Sequence, residues 1–318
     1  MVVSRILREL VTRVAAVDCG TNSIRLLVAD VDAAAGTLRD VDRRMEVVRL
    51  GEGVDRTGRI SSAALQRTLA ACDTFADVVR DTCAERVRFV ATSASRDVDN
   101  RAEFVAGVRD RFAVDPEIVT GDEEAVLSFL GATRELVGSG LEQPFLVLDI
   151  GGGSTELVLG ADRVEAARSV DVGCVRMTER HLHDDPPTSA QVAAARADVE
   201  AAIGSATTTV PLQRTGTLVG LAGSVTTVAA MALGLPTYDP EAIHHSRISA
   251  DEVHEVTRSL LSMTRDQRAA LPFMHPGRVD VIGAGALILS VVVERAPVDS
   301  VVVSEHDILD GIAFSLAD

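Results

Sequence analysis

The stretch from Asp149 to Glu156 contains the residue types that could bind a phosphate group and a metal ion. Asp149 ends an apolar run, glycines occupy positions 151–153, and Ser154 precedes Glu156 by two positions. Consecutive glycines tolerate positive φ angles and let backbone N–H groups approach a ligand closely, so such a loop can bind an anion. The two carboxylates could hold a metal ion or a water molecule beside that anion. The plainer interpretation is a buried hairpin with glycines at its bend.

A second stretch with the same arrangement lies near the start of the chain. Asp18, Gly20 and Ser23 each lie 131 positions before the matching aspartate, glycine and serine of the later stretch. Thr21 and Asn22 complete this earlier loop. A repeat at long range predicts two related half-molecules that face each other, with phosphate between two glycine loops and acidic groups on both sides.

The apolar pattern around both loops predicts the elements that must position these residues. Two short β-rich runs around a glycine turn predict a hairpin at 14–31 and another at 145–160. A third strand at 38–50 and a long helix capped by Ser61 follow the first hairpin. We expect a final helix at 306–316. Strands that alternate with helices in both halves predict a mixed sheet flanked by helices.

Two further strand-to-helix turns carry candidate phosphate ligands. Ser93, Ser95 and Arg96 follow one predicted strand, and Gly223 and Ser224 follow another. Backbone amides at a helix N-terminus can bind an anion. Each turn could therefore face phosphate, or it could be a plain capped helix start.

Two glutamates lie at the start of one predicted helix. Thr120 or Asp122 can cap this helix, which places Glu123 and Glu124 in its first turn. The helix macrodipole stabilises carboxylates at this position in any protein. The helix start alone therefore does not separate a catalytic role from a structural one.

Length and composition exclude several classes of protein. The chain has 318 residues, enough for two domains, and 47% of them are hydrophobic, which indicates a globular protein. A net charge of −16 disfavours binding to nucleic acid and to acidic membranes. No apolar run could span a bilayer, and Arg5, Arg8 and Glu9 interrupt the N-terminal apolar stretch. We therefore expect a short helix or a loose tail at residues 1–12 rather than a signal peptide, and a cytoplasmic location.

The arginine, cysteine and histidine residues limit which phosphate-binding, disulfide and metal sites the chain can form. All 31 basic residues are arginine, so any basic side chain that contacts phosphate must be an arginine. None of the four cysteines has CxxC spacing, and we expect all four to be reduced. His244 and His245 are adjacent in the sequence, so we expect their side chains to point in different directions and to form no metal site.

Together these stretches resemble the Ppx/GppA family of exopolyphosphatases and pppGpp phosphohydrolases. The resemblance covers nearly the whole chain, and its most specific element is LDIGGGSTE at 148–156. The other matching pieces are DCGTNS at 18–23, ATSASR at 91–96, TGDEEA at 120–125, GLAGSVTTVA at 220–229 and RVDVIGAGALIL at 278–289. The resemblance implies an α/β fold of two similar ribonuclease-H-like (actin-like ATPase) domains with a cleft between them. We expect residues 1–127 and 306–318 to form the first domain and residues 128–305 the second.

The resemblance also implies a role for each candidate residue. Glu124 matches the proposed general base, which orients and deprotonates the attacking water. The residues implied to hold the metal ion are Asp149, Glu156 and Asp18. The residues expected to bind phosphate are Thr21, Asn22, Ser23, Arg96, Gly151, Gly152, Gly153 and Ser154, together with Gly223 and Ser224 of the later helix turn. Arg25 and Arg278 are expected to face the anionic substrate.

The implied reaction is Mg²⁺-dependent hydrolysis of the terminal phosphate of inorganic polyphosphate by a homodimer, with Mn²⁺ and a monovalent cation such as K⁺ as further candidate ions. The chain ends soon after the second half, without the HD-type region of longer members, so we expect it to act on shorter polyphosphates. A pppGpp 5′-phosphohydrolase is the alternative with the same chemistry, although the absence of tryptophan and the single tyrosine disfavour a base-stacking platform. Two further alternatives stay open. One is a kinase or ATPase with the same actin-like fold, and the other is a regulator that binds polyphosphate, pppGpp or ppGpp and has slow activity.

Overall fold

The computed structural model describes residues 11–96 and 98–317, and the chain divides into two compact units. The first unit runs through Arg134 and resumes at Ile308, and the second comprises Glu135–Asp307. The expected boundary after residue 127 would cut a helix, Gly121–Thr133, that lies whole within the first unit. Helix formation is cooperative, so a boundary is favoured after a helix rather than inside it. The expected helix or tail at residues 1–12 lies, up to residue 10, outside the described residues.

The first unit contains a five-stranded mixed sheet with the strand order β3-β2-β1-β4-β5. The strands are β1 (Val11–Cys19), β2 (Ser23–Asp32), β3 (Thr37–Val47), β4 (Arg86–Ala91) and β5 (Glu117–Ile118). The first three form an antiparallel meander, and β4 and β5 continue the sheet parallel to β1. The carboxyl ends of β1, β4 and β5 therefore lie at one edge of the sheet, where the loops that follow them can meet.

Helices cover both faces of this sheet. They are α1 (Val54–Thr57), α2 (Ser62–Asp81), α3 (Ser93–Arg96), α4 (Arg101–Phe112), α5 (Gly121–Thr133) and α13, the last helix of the chain (Ile308–Ala317). Ala15 and Val17 of β1 point into a core that includes residues of α2 and α4. Val14 and Ala16 point into the opposite core, shared with α5 and α13. Burial on both faces explains why β1 is a continuous apolar run rather than an alternating one.

The last helix is fixed to the first unit by polar and apolar contacts. Asp310 is almost fully buried and forms an ion pair with Arg43 of β3. The guanidinium of Arg134 lies 4.2 Å from the centre of the Phe314 ring. Gly311 packs so closely on α5 that a Cβ atom there would lie 2.0 Å from the carbonyl oxygen of Leu127. The chain therefore returns to the first unit at its last helix.

The second unit contains a six-stranded sheet with the order β10-β11-β9-β6-β7-β8. The strands are β6 (Phe145–Ile150), β7 (Thr155–Gly160), β8 (Val164–Val170), β9 (Thr217–Leu221), β10 (Arg247–Ser249) and β11 (Ser300–Val303). Strands β6, β7 and β8 form an antiparallel meander, and β9 and β11 continue the sheet in parallel. This order repeats that of the first unit, with β10 added at the edge. The two similar α/β domains predicted from the repeat are confirmed.

The helices of the second unit pack around a single apolar core. They are α6 (Cys174–His181), α7 (Ser189–Ala206), α8 (Ala222–Ala232), α9 (Pro240–Ile243), α10 (Ala250–Ser262), α11 (Arg265–Ala269) and α12 (Ile282–Arg295). Helix α12 is buried from Ile282 to Val293 because α6, α7, α8 and α10 surround it. A helix enclosed in this way is apolar on all sides. Across the described residues no helix is both long and apolar enough to cross a membrane, and all four cysteines are free.

Candidate functional site

The first glycine loop (residues 19–23) joins β1 to β2, and a partly buried ion pair flanks it. Asp18 is the last residue but one of β1 and lies directly opposite Arg25 of β2. The Nε and Nη2 atoms of Arg25 donate hydrogen bonds to Oδ2 of Asp18 over 3.0 and 2.7 Å. Arg25, which was expected to face the substrate, thus binds the aspartate beside it. Its contact with substrate stays a prediction.

Backbone hydrogen bonds hold the first glycine loop in one shape. The amide of Gly20 donates to the carbonyl of Ser23, and the amide of Gly51 donates to the carbonyl of Thr21, each over 2.9 Å. The carbonyl of Asn22 accepts from the amides of residues 48 and 49. A Cβ atom on Gly51 would lie 2.3 Å from the Cγ2 atom of Thr21. Sequence reasoning did not single out Gly51, although a glycine that follows a strand can indicate close backbone approach.

The loops after β4 and β5 bring further candidate residues to the same edge of the first sheet. Oγ of Ser93 lies 2.9 Å from Oγ1 of Thr21, which links the start of α3 to the first glycine loop. Arg96 ends α3, and its Nη1 atom lies 3.7 Å from Oε2 of Glu124 and donates to the carbonyl of Val119. Ligands of α/β proteins bind outside the carboxyl ends of strands. These residues therefore lie where a ligand of the first unit is expected.

The two glutamates at the start of α5 have different surroundings. Glu123 forms a capping box with Thr120: its amide donates to Oγ1 of Thr120, and its Oε2 atom accepts from the amide of Thr120 over 2.8 Å. The hydrogen bonds that this carboxylate accepts from the amide and the hydroxyl of Thr120 hold the pKa of Glu123 below its usual value. Glu124 takes no part in the capping box, is 8% exposed, and lies beside Arg96. The capping box thus explains the position of Glu123 but not that of Glu124, whose role as a general base stays a prediction.

In the second unit two acidic side chains lie directly opposite each other. Asp149 of β6 pairs in register with Glu156 of β7, and their exposed fractions are 7% and 0%. Like charges opposite each other on neighbouring strands destabilise a sheet. Ser169, the register partner of Glu156 on β8, donates its hydroxyl to Oε1 of Glu156 over 2.7 Å. Sequence reasoning missed Ser169, because its contact with Glu156 depends on the register between β7 and β8.

The second glycine loop (residues 151–154) packs against the start of α6. The carbonyl of Gly151 accepts from the amide of Cys174, and the carbonyl of Gly152 accepts from the amides of residues 175 and 176. A Cβ atom on Gly173 would lie 2.4 Å from the carbonyl oxygen of Gly152, so only glycine fits there. The hydroxyl of Ser154 is buried and has no hydrogen-bond partner among the described residues. A buried hydroxyl without a partner needs an explanation, and a bound phosphate oxygen or an ordered water would supply one.

The turn at the start of α8 holds the remaining candidates. Ala222 has a φ of +62°, a strained value for a residue other than glycine, and such strain is common at functional sites. The Nη1 atom of Arg278 donates to the carbonyl of Gly223 over 2.7 Å and to Oγ1 of Thr227 over 3.2 Å. A Cβ atom on Gly223 would lie 1.7 Å from the guanidinium carbon of Arg278, and one on Gly285 would lie 2.2 Å from Oγ of Ser224.

The position of Arg278 creates a region of positive potential. Its guanidinium lies at the N-terminal end of α8, where the helix macrodipole is also positive. The guanidinium charge and the partial positive charge of the helix end both favour an anion beside them. The geometry is compatible with the predicted phosphate contacts of Gly223 and Ser224, which stay predictions, as does the cleft expected between the two domains.

Two sheets of the same strand order, each with an aspartate at the end of its first strand and a glycine loop after it, define an α/β protein of the ribonuclease-H-like, actin-like ATPase class. The model of the Ppx/GppA phosphatase family matches residues 27–318. The chain belongs to this family.

Individual relatives agree with this assignment. Exopolyphosphatase 2 of Mycobacterium tuberculosis is 53% identical over 317 residues, which cover 96% of this chain and 99% of that protein. The crystal structure of an exopolyphosphatase-like protein matches with a TM-score of 0.93 at 43% identity, covering 96% of this chain and 98% of the other. A guanosine-5′-triphosphate,3′-diphosphate pyrophosphatase of Aeromonas salmonicida is 28% identical over 303 residues, which cover 95% of this chain and 59% of that protein.

Proposed function

We propose that this protein is an exopolyphosphatase that hydrolyses the terminal phosphate of inorganic polyphosphate with the help of Mg²⁺. The observation that carries the proposal is the buried pair of Asp149 and Glu156 beside a glycine loop whose Ser154 hydroxyl is unsatisfied. Such a site suits a divalent cation together with a phosphate group. The 53% identity to an exopolyphosphatase supports polyphosphate as the substrate.

Asp149 and Glu156 fit the requirements of Mg²⁺. They offer carboxylate oxygens, which are the hard ligands that Mg²⁺ prefers, and the hydrogen bond from Ser169 orients one of them. Mg²⁺ supplies neutralisation of the charge on the transferred phosphoryl group when it is bound. Asp18 is a weaker candidate ligand, because Arg25 already binds its Oδ2 atom at 2.7 Å.

The protein's own residues supply the other parts of the reaction. Amides of the second glycine loop and the hydroxyl of Ser154 hold phosphate oxygens. Glu124 orients the attacking water and accepts its proton, which is the task of a general base. Arg96 is partly exposed and lies next to Glu124, so its guanidinium can bind a phosphate oxygen while that water attacks.

A second candidate function is the removal of the 5′ phosphate of pppGpp. The identity to the Aeromonas salmonicida enzyme favours it. Against it, the only tyrosine is Tyr238, whose hydroxyl bonds to Thr226 and Glu305, and the chain has no tryptophan. A regulator with slow turnover is the third candidate, and the expected homodimer and cytoplasmic location stay predictions.

A phosphate-release assay separates these functions. Purified protein is incubated with polyphosphates of several lengths, with pppGpp and with ATP, each with Mg²⁺ and with EDTA. We expect polyphosphate to be turned over fastest, with the comparison of lengths measuring the preference for shorter chains, and EDTA to abolish turnover. Faster turnover of pppGpp would select the second function, and hydrolysis of ATP alone would overturn the proposal.

A further inference from the structure

Three side chains of the second unit, none of them part of a glycine loop, form a cluster. Glu135 is the first residue of the unit, His244 follows α9, and His306 precedes the last helix. Each of the three offers one ligand atom, and these atoms lie within 4.8 Å of one another. Imidazole nitrogens and a carboxylate oxygen form the mixed ligand set typical of Zn²⁺ sites.

Two of the distances between the possible ligand atoms are close to those in a tetrahedral metal centre. Oε2 of Glu135 lies 3.2 Å from Nε2 of His244 and 3.3 Å from Nδ1 of His306. Ligands bonded to tetrahedral Zn²⁺ at about 2.0–2.1 Å are separated from each other by about 3.3–3.4 Å. The two distances therefore match before any ion is added.

The packing of the rings corrects one expectation from the sequence. His244 and His245 were expected to point in different directions, but their rings stack with centres 3.7 Å apart. The loop that follows α9 holds them in this way because His245 adopts a φ of +60°. The ring of His306 lies 4.6 Å from that of His244. Adjacent histidines thus share one side of the loop, and only one of them belongs to the cluster.

We propose that Glu135, His244 and His306 bind a borderline divalent cation, Zn²⁺ for example, at a site separate from Asp149 and Glu156. Three protein ligands leave one tetrahedral position for water or for a further ligand. Mg²⁺ is a poor occupant, because it prefers six oxygen ligands in octahedral geometry.

A network of hydrogen bonds is the competing explanation for the cluster. The amide of Glu305 donates to Nδ1 of His244 over 3.1 Å, so in the metal-free protein Nε2 carries the proton and can donate to Glu135. When Zn²⁺ binds Nε2, that proton moves to Nδ1 and the hydrogen bond from Glu305 is lost. This loss weakens binding by about tenfold, which a three-ligand site can tolerate.

The position of the cluster gives metal binding a structural consequence. The chain enters the second unit between Arg134 and Glu135 and leaves it between Asp307 and Ile308. Glu135 and His306 therefore lie on the two segments where the chain crosses. A metal ion would join both segments to the loop of His244, and we expect it to raise the thermal unfolding temperature.

The test measures Zn²⁺ binding to protein that has been stripped with EDTA. The Asp149→Asn, Glu156→Gln background removes the candidate catalytic metal site, and equilibrium dialysis then counts the Zn²⁺ bound per chain. We expect one Zn²⁺, and binding weakened by more than about a hundredfold in His244→Ala and in His306→Ala, since loss of even an outer partner costs about 10–100-fold. His254→Ala is the matched control, because His254 bonds to Ser290 outside the cluster.

A second readout separates the metal site from the hydrogen-bond network. On addition of Zn²⁺ the amide resonance of Glu305 should shift as it loses its acceptor. The resonance should stay in place in the His306→Ala variant at the same Zn²⁺ concentration. Equal Zn²⁺ binding by the control and both cluster variants, or no binding by the parent protein, would overturn the proposal.

Discussion

The two glycine loops occupy the same place in two similar sheets, but the aspartate before each loop has a different neighbour on the next strand. In the first unit Asp18 lies opposite Arg25, and in the second Asp149 lies opposite Glu156. Arg25 and Glu156 are counterparts, because they are separated by the same 131 positions as the two aspartates. An arginine neutralises the first aspartate from within the protein, whereas a second carboxylate adds to the charge of the other.

The third strand of each sheet extends this difference. Arg25 faces Met45 on β3, and Glu156 faces Ser169 on β8, which donates a hydrogen bond to it. The second hairpin thus has a polar residue that orients a carboxylate, and the first has none at that place. The comparison supports the proposal that the second hairpin, rather than the first, binds the metal ion.

Loss of a metal ligand should have the largest effect on this comparison. Asp149→Asn keeps the size of the side chain but removes a charge that Mg²⁺ needs. We expect the rate of phosphate release from polyphosphate to fall by more than about 10³-fold, since the metal contributes several kcal/mol to transition-state stabilisation. We also expect Asp149→Asn to raise the Mg²⁺ concentration needed for half activity. Asp18→Asn should raise that concentration much less. Equal effects of the two substitutions on that concentration would remove the distinction between the hairpins.

Glu124→Gln should have the second-largest effect on activity. The amide keeps the shape of the side chain but cannot accept the proton of the attacking water, so we expect kcat to fall by about 10²–10⁴-fold with KM nearly unchanged. Glu123→Gln is the control, because Glu123 serves the capping box. It should leave kcat almost unchanged and lower the free energy of unfolding by about 1 kcal/mol or less. Normal turnover by Glu124→Gln would show that Glu124 is not the general base and only interacts with the helix macrodipole.

Arg25→Met tests whether the first hairpin is neutralised from within. The substitution leaves Asp18 buried without its guanidinium partner, and breaking a buried ion pair costs about 3 kcal/mol of unfolding free energy. The double variant Asp18→Asn, Arg25→Met should recover most of this loss in chemical denaturation. If the single and double variants are equally stable, the ion pair does not explain why this hairpin tolerates its aspartate.

Ser169→Ala should have the smallest effect and the most specific one. Without the hydroxyl, Glu156 loses a hydrogen bond that orients it, and such outer partners contribute about 10–100-fold to metal affinity. We expect the Mg²⁺ concentration for half activity to rise within this range while kcat at saturating Mg²⁺ recovers. Met45→Ala, at the matching place of the first unit, should leave Mg²⁺ activation unchanged. A fall in kcat that excess Mg²⁺ does not restore would assign Ser169 a structural role only.

Local sequence patterns predicted the hairpins and the repeat correctly. Both hairpins follow from the glycine turns at 20 and 151–153 and from the apolar residues on either side. A hairpin can be predicted in this way because it forms between residues that are close in sequence. The opposition of Asp18 to Arg25 could have been inferred too, once the hairpin register was assumed.

The sequence did not decide features that a local pattern leaves ambiguous or that depend on distant residues. The role of Glu123 was open because a capping box depends on which residue is the N-cap, and Thr120 and Asp122 both qualified. Ser169 was missed because the limits of the edge strand β8 depend on its pairing with β7. The cluster of Glu135 with His244 joins residues 109 positions apart, a contact that no local pattern encodes.

The location of the metal ion tests the central comparison most directly. Crystals of the wild-type protein are soaked with Mn²⁺ as a substitute for Mg²⁺, and the anomalous difference map shows where the ion binds. The account predicts a peak in contact with the carboxylates of Asp149 and Glu156, with the ion pair of Asp18 and Arg25 intact. A peak bound by Asp18 with Arg25 displaced, and none at Asp149, would contradict it.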